Sequence, residues 1–328
     1  MIDVPAVCVI GIGLIGGSVL RAAAAAGWQA FGATTSPTDA ELARADGADV
    51  CTDVDTALRR AAAEDALVVI AVPLTALDTV LRQIARYAPD CGLTDVISVK
   101  EPVAARIAER LPDARYVGGH PMAGSATSGW AGGSVDLFRG APWVLTTEDD
   151  TDRAHWLRTA RLALACGAAV VPASAREHDA AAARISHLPH VLAAVLASVA
   201  QEGGSLALSL AAGSFTDGTR VAATRPELVQ AMCEGNRDAL LAAMDDALGR
   251  LGVARGALAT TGSLAATINH GHQSRLQWAQ QQAQATGEFT VPFLEADAPE
   301  RLRTIGAAGG RIHRISGDVL DGVLPLPQ

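Results

Sequence analysis

The first apolar run, Val7 to Ile10, is short and stops at Gly11-Ile-Gly13-Leu-Ile-Gly16-Gly17-Ser18, after which Val19 to Ala26 is alanine-rich with a helical pattern. A strand, a tight turn and a helix are predicted in that order. Further short strands are predicted at Gln29 to Ala33, at Leu67 to Val72 with Pro73 closing it, and at Asp95 to Val99, with segments of helical composition between them. This alternation predicts βαβ units and an α/β fold, a Rossmann-type doubly wound parallel sheet. Three more strands are expected at Tyr116 to Gly118, Trp143 to Thr146 and Ala168 to Val171.

From Ala173 onward the pattern changes. Ala180 to Ala200, Pro226 to Leu251 and Gly256 to Gln284 are long, rich in alanine and leucine, and carry helical periodicity. The expected division is therefore a dinucleotide-binding domain over 1–172, an all-helical domain over 173–284, and a short appendage over 285–328 whose glycines interrupt any regular pattern.

Composition narrows the class. With 49% hydrophobic and 19% charged residues the 328-residue chain has the make-up of a well-buried globular protein. A net charge of -9 and the lack of any Lys/Arg-rich run argue against nucleic acid or an anionic membrane as partner. No uninterrupted apolar stretch of spanning length is present, and the apolar start at Val4 follows no basic segment. A cytoplasmic protein is expected. Cys8, Cys51, Cys91, Cys166 and Cys233 show neither a CxxC nor a paired His spacing, so the sequence indicates no metal site and no disulfide framework.

Gly11, Gly13 and Gly16 open a helix directly after the first strand, the context of a dinucleotide fingerprint. Gly11 permits the tight turn, Gly13 lets a pyrophosphate approach the backbone, and Gly16 allows close helix–strand packing. Leu14 and Ile15 would offer the N–H groups of the helix N-terminus. Val72 and Pro73, at the close of their strand, are expected beside the same ligand. No acid stands where a ribose 2′-hydroxyl is usually read; Thr34, Thr35 and Ser36 offer hydroxyls instead, which serve NAD or NADP. NAD is slightly preferred.

Gly118-Gly119-His120-Pro121-Met122-Ala123-Gly124-Ser125 places an imidazole in a glycine-rich segment just after a predicted strand. His120 is either a general base at a ligand or a polar turn residue. Ser98 falls at the C-terminal end of a predicted strand, where open α/β sheets bind ligands, or caps the next helix. Lys100 either adds positive potential there or is simply solvated. Asp179, Ser186 and His190, at i, i+7 and i+11, would share one face of a continuous helix, which Pro189 should kink.

Taken together, the Gly11 to Ser18 turn, Asp95-Val-Ile-Ser-Val-Lys100, Gly119-His-Pro-Met-Ala-Gly124, Glu177-His-Asp179, Ile185-Ser-His-Leu-Pro-His190 and Asp217-Gly-Thr-Arg220 resemble the prephenate dehydrogenase family over about residues 5 to 250. The resemblance implies a Rossmann-type domain followed by a helical dimerisation domain, hence a homodimer. It implies NAD(P)-dependent oxidative decarboxylation of prephenate, or of arogenate, in tyrosine biosynthesis. It implies catalytic roles for His120, as acceptor of the 4-hydroxyl proton, and for Ser98, bonded to the same hydroxyl. His190 would lie near the substrate side chain. His187 and Asp179 would shape the cleft, although His187 equally suits an interior position. Arg220 would grip a carboxylate with its planar fork, with Asp217 to orient it.

Two departures from the family pattern stand out. Ala126 replaces a frequent glutamate, and Leu228 and Val229 stand where a tryptophan is often found. The tail lacks the length of the regulatory domain that some relatives append. A β-hydroxyacid dehydrogenase would need a lysine in the helical domain, and 173–284 contains none. A dinucleotide-binding redox regulator without catalysis is the other alternative.

Overall fold

A computed structural model describes residues 4–125 and 127–326. Six strands, β1 (Ala6–Ile10), β2 (Gln29–Ala33), β3 (Asp49–Cys51), β4 (Leu67–Ile70), β5 (Leu93–Asp95) and β6 (Tyr116–Val117), form a parallel sheet in the order β3-β2-β1-β4-β5-β6. Every residue of β1 and β4 is buried. Their side chains alternate between two cores, with Val7, Val9, Leu67 and Val69 in one and Cys8, Ile10, Val68 and Ile70 in the other. An unbroken apolar run suits such a strand because both faces are covered by helices. The expected Rossmann-type sheet is present.

Some boundaries differ from expectation. The strand read as Asp95 to Val99 ends at Asp95, because the carboxylate accepts the N–H of Ile97 at 2.7 Å and turns the chain. The strand read to Val72 ends at Ile70, and the three-residue β3 carries too short a pattern to be recognised.

Gly118 separates β6 from β7 (Gly119–Pro121), which starts a second sheet with β8 (Pro142–Thr146), β9 (Ala169–Ala173), β10 (Thr286–Pro292), β11 (Arg311–Ser316) and β12 (Val319–Pro325). The order is β10-β12-β11-β9-β8-β7. The tail is thus not a separate appendage. Ile312 pairs with Val170, the Phe293 ring lies 4.7 Å from that of Trp156, and Phe293, Leu302, Ile312 and Leu320 are buried in the same core as β1. Of the described residues, those up to His178 together with 288–324 accordingly form one compact unit, and 179–287 with Pro325 and Leu326 form the other. The compact units divide after His178, within a helix that starts just past the expected boundary at 172 with a capping box: Ser174 Oγ accepts the Glu177 N–H, and Glu177 accepts the Ser174 N–H at 2.9 Å. Those bonds hold the Glu177 carboxyl below the usual carboxylate range.

The second unit is helical. Its first helix runs within Ala175–Glu202 and widens to a π turn over Ala183–His187, just ahead of Pro189. By length and composition this helix alone, among the described residues, could cross a membrane; His178, Asp179 and His187 on it are polar and buried within the protein. The run from Pro226 breaks at Asn236 into helices Pro226–Gly235 and Arg237–Thr261, followed by Ala265–Ala283.

All five cysteines are free thiols; burial pushes that of Cys166 up to about 12. In the first unit His155 is buried against Gly92, and its Nε2 lies 2.7 Å from the Leu93 carbonyl. Burial lowers its pKa, and the bond to Leu93 opposes this only in part. The unfolded chain therefore takes up a proton near the ordinary imidazole value of about 6.5 while the folded protein does not, so stability present above that value is lost as pH falls through it. Thermal unfolding between pH 7.5 and 5.5 should show a falling midpoint, with a smaller slope in His155→Gln; equal slopes would rule out this contribution.

Candidate active site

The sheet order reverses between β1 and β4, the point at the carboxyl ends of the strands where open α/β sheets bind their ligands. Gly11 follows β1, Thr34 follows β2, Val72 and Pro73 follow β4, Ser98 follows β5 and His120 follows β6, so these candidates all belong to one end of the sheet. The turn after β1 fits a dinucleotide. Gly11 has φ of 94°, and a Cβ on Gly16 would lie 1.9 Å from the Gly11 carbonyl oxygen, so the helix Leu14–Ala25 can approach only without one. At Gly13, by contrast, a Cβ would meet nothing within 4 Å, and no side chain caps this N-terminus. The first N–H groups of the helix, including those of Leu14 and Ile15, thus face a space that a pyrophosphate can use.

Among the hydroxyls after β2, Thr35 is exposed, whereas Thr34 and Ser36 shape the turn: Thr34 Oγ1 accepts the Ser36 N–H and Ser36 Oγ accepts the Asp39 N–H, both at 3.2 Å. Both oxygens keep their own protons to donate.

His120 is half-buried on β7, and its Nδ1 lies 2.8 Å from Nε2 of His178 with the rings edge to face. His178 is buried. Such a pair shares a single proton along the N···N line. When His120 donates from Nδ1, its Nε2 carries a lone pair and can act as a base; in the reverse arrangement Nε2 carries the proton. The tautomers of His120 and His178 are thereby coupled. The sequence pointed to the Glu177-His-Asp179 run without assigning His178, because contact with His120 depends on where the capping box starts the helix. Ser98, on the loop after β5, is half-buried, and its hydroxyl has no hydrogen-bond partner among the described residues. Ala126 lies outside them.

In the helical unit, the buried Asn236 donates its amide to the Asp179 carbonyl at 2.7 Å and lies 3.1 Å from Nδ1 of His187. Asn236 thus spans the Asp179 backbone and the His187 ring, and the intervening π turn changes which side chains align. Five residues in a π turn lag an α-helix by about a quarter turn, which brings i+8 rather than i+7 into line and moves His190 off the face of Asp179. The half-buried His190 has Nδ1 2.9 Å from the Ser186 carbonyl. Arg220 begins a short 3-10 turn, Arg220–Ala223, packed on the helix Leu188–Glu202 that carries His190. Arg220 and Asp217 are both exposed, and no ion pair joins them among the described residues, so the expected orienting contact is not formed. Asn236 was not among the expected site residues; its only sequence signal is a polar interruption between two helical runs.

Two family models match the chain: prephenate dehydrogenase, nucleotide-binding domain, over 23–172, and prephenate dehydrogenase, dimerization domain, over 174–260. The chain belongs to the prephenate dehydrogenase family. It is 30% identical to the cyclohexadienyl dehydrogenase of Zymomonas mobilis, a match covering 77% of this chain and 88% of that one. It is 33% identical to the prephenate dehydrogenase of Bacillus subtilis, covering 72% of this chain and 65% of the relative. A Corynebacterium glutamicum chain solved as a candidate prephenate dehydrogenase is 46% identical, with a TM-score of 0.81 over 85% of this chain and 89% of that one. Family membership makes this protein a dehydrogenase with a nucleotide-binding domain.

The two glycines give a paired test. Gly16→Ala should destabilise the fold by at least about 1–3 kcal/mol, the cost of overpacking. Gly13→Ala should keep wild-type stability yet weaken NAD binding about tenfold or more, or about 1.4 kcal/mol. Thermal unfolding and fluorescence titration read the two effects; undiminished NAD affinity in Gly13→Ala would place the pyrophosphate elsewhere.

Proposed function

We propose that the protein is an NAD(P)-dependent prephenate dehydrogenase that converts prephenate to 4-hydroxyphenylpyruvate and CO2, with NAD the preferred cofactor. The observation that carries this reading is the His120–His178 contact at the carboxyl end of a sheet whose first turn fits a dinucleotide. The bound nicotinamide supplies the hydride acceptor. His120 accepts the 4-hydroxyl proton on Nε2, while its Nδ1–H is held by His178 and cannot rotate away from the productive tautomer. Ser98, with its hydroxyl uncommitted, donates to the same substrate oxygen.

Arg220 is the carboxylate-binding group in this reading. An exposed, planar guanidinium without a protein carboxylate partner suits a dianionic substrate better than a pre-paired one, because no ion pair has to be broken first. His190, on the helix against which the Arg220 turn packs, contributes to the same side of the substrate. Asp217 adds to this surface, and the buried Asp179 and His187 support it from within the helical unit. A homodimer through that unit accounts for its surface: Val195, Val199, Leu206, Leu210, Leu251 and Val253 are each more than half exposed in the single chain. Arogenate, which carries an amino group in the side chain, is the alternative substrate, and a cytoplasmic location accords with this chemistry.

Steady-state assays crossing prephenate and arogenate with NAD and NADP should give the highest kcat/KM for prephenate with NAD; turnover of neither substrate would sink the reading. His120→Asn should lower kcat by about 10²–10⁴-fold while leaving the cofactor Kd unchanged. Arg220→Ala should mainly raise KM for prephenate, by about tenfold or more for a lost charge-assisted pair; an unaltered KM would mean that another cation holds the carboxylate.

A further inference from the structure

Lys100 is the single lysine among the 26 Lys and Arg residues of the chain. It is fully buried, as is Asp95, and the two form an ion pair. A guanidinium is a planar fork, whereas an ammonium is a compact point charge with three donors. The surroundings require the second: Lys100 Nζ donates to Asp95 Oδ1 and, at 2.7 Å, to the Gly119 carbonyl. Asp95 completes the arrangement. Its Oδ1 also accepts the Ile97 N–H at 2.7 Å, and its Oδ2 accepts the Tyr116 hydroxyl at 2.6 Å and the Gly119 N–H at 3.3 Å.

Both backbone polar groups of Gly119 are therefore held by this one pair, and Gly119 immediately precedes His120. The approach is close enough that a Cβ on Gly119 would lie 2.5 Å from the Asp95 carbonyl oxygen. The same pair closes the loop 95–100, which carries Ser98 at its middle, since its two charged side chains stand at the loop's ends. We infer that Asp95 and Lys100 are positioning residues for the dehydrogenase reaction: the buried pair sets the His120 backbone and the Ser98 loop in mutual register. The inference rests on the assignment of His120 as base. Neither side chain is accessible to substrate, so their effect passes through Gly119 and the loop. Misplacement of a reacting group by about 1 Å can cost about 10²-fold in rate, and a clamp on the residue before the base limits that displacement.

The test uses Lys100→Met, the charge-neutral pair Asp95→Asn with Lys100→Met, and Tyr116→Phe, with His120→Asn as reference. Lys100→Gln, whose amide still donates once, replaces Lys100→Met if that chain does not fold. Each folded variant is measured for NAD Kd, for kcat with saturating prephenate, and for the isotope effect on kcat with substrate deuterated at the carbon that loses hydride. The expected result is a kcat lower by about 10- to 10²-fold for the Lys100 variants, an isotope effect larger than in the wild type, and an NAD Kd within about threefold of it. A merely structural role would lower the unfolding midpoint and leave kcat per cofactor-binding chain and the isotope effect unaltered, which overturns the inference. Loss of NAD affinity in step with kcat also overturns it, by assigning the pair to the cofactor turn. Near-normal turnover of His120→Asn would instead remove the base assignment itself. Because the chain has one lysine, protein labelled with 15N-lysine gives a single side-chain ammonium signal, and its altered shift in Tyr116→Phe reports directly on the pair.

Discussion

A carboxylate without solvent has to be satisfied completely, and Asp95 is such a group. Removing one partner from a buried ion pair costs about 3–5 kcal/mol, because the remaining charge is left uncompensated. The four donors that satisfy Asp95 come from the loop after β5, from β6 and from the start of β7. Those segments belong to two different sheets, and the chain passes from the first to the second at Gly118. Satisfying one charge thus fixes where the first sheet hands the chain to the second, and His120 lies two residues beyond that point.

Around this anchor the chemistry is divided by distance from backbone. The phosphate-binding end needs atoms to be absent: no Cβ on Gly16, where the helix meets the Gly11 carbonyl, and open space at Gly13. At the other end a second imidazole stands against His120, and in the proposed role the Nε2 lone pair is available when Nδ1 of His120 carries the proton of the His120–His178 contact. His178 is carried by a helix whose first turn is set by Ser174 and Glu177. A local capping interaction in this way helps to place His178, which meets His120 58 residues away in sequence.

The helical unit shows a related trade. Its first helix buries Asp179 and His187, tied by Asn236, and exposes valines and leucines instead. A π turn makes this possible by advancing the helix register one residue before Pro189, which cannot donate a backbone hydrogen bond. In the proposed homodimer, a second copy covers this exposed apolar side.

Hydrophobic runs and glycine spacing in the sequence determined the parallel sheet, the dinucleotide turn and the change to helices, because unbroken buried strands and close helix approach leave marks within a few residues of one another. The position of Gly11, Gly13, Gly16, Ser98 and His120 at the carboxyl end of the first sheet was legible for that reason. The sequence could not reveal that the tail pairs with β9, because β11, which lies between β12 and β9, alternates weakly and its partner β9 lies over a hundred residues earlier. Nor could it reveal the His120–His178 contact, the link from Asp179 to His187 through Asn236, or the pairing of Lys100 with both Asp95 and Gly119. Each of these depends on hydrogen bonds between segments distant in sequence, and only burial in the tertiary structure, where an unmet polar group is costly, decides which donors and acceptors must meet.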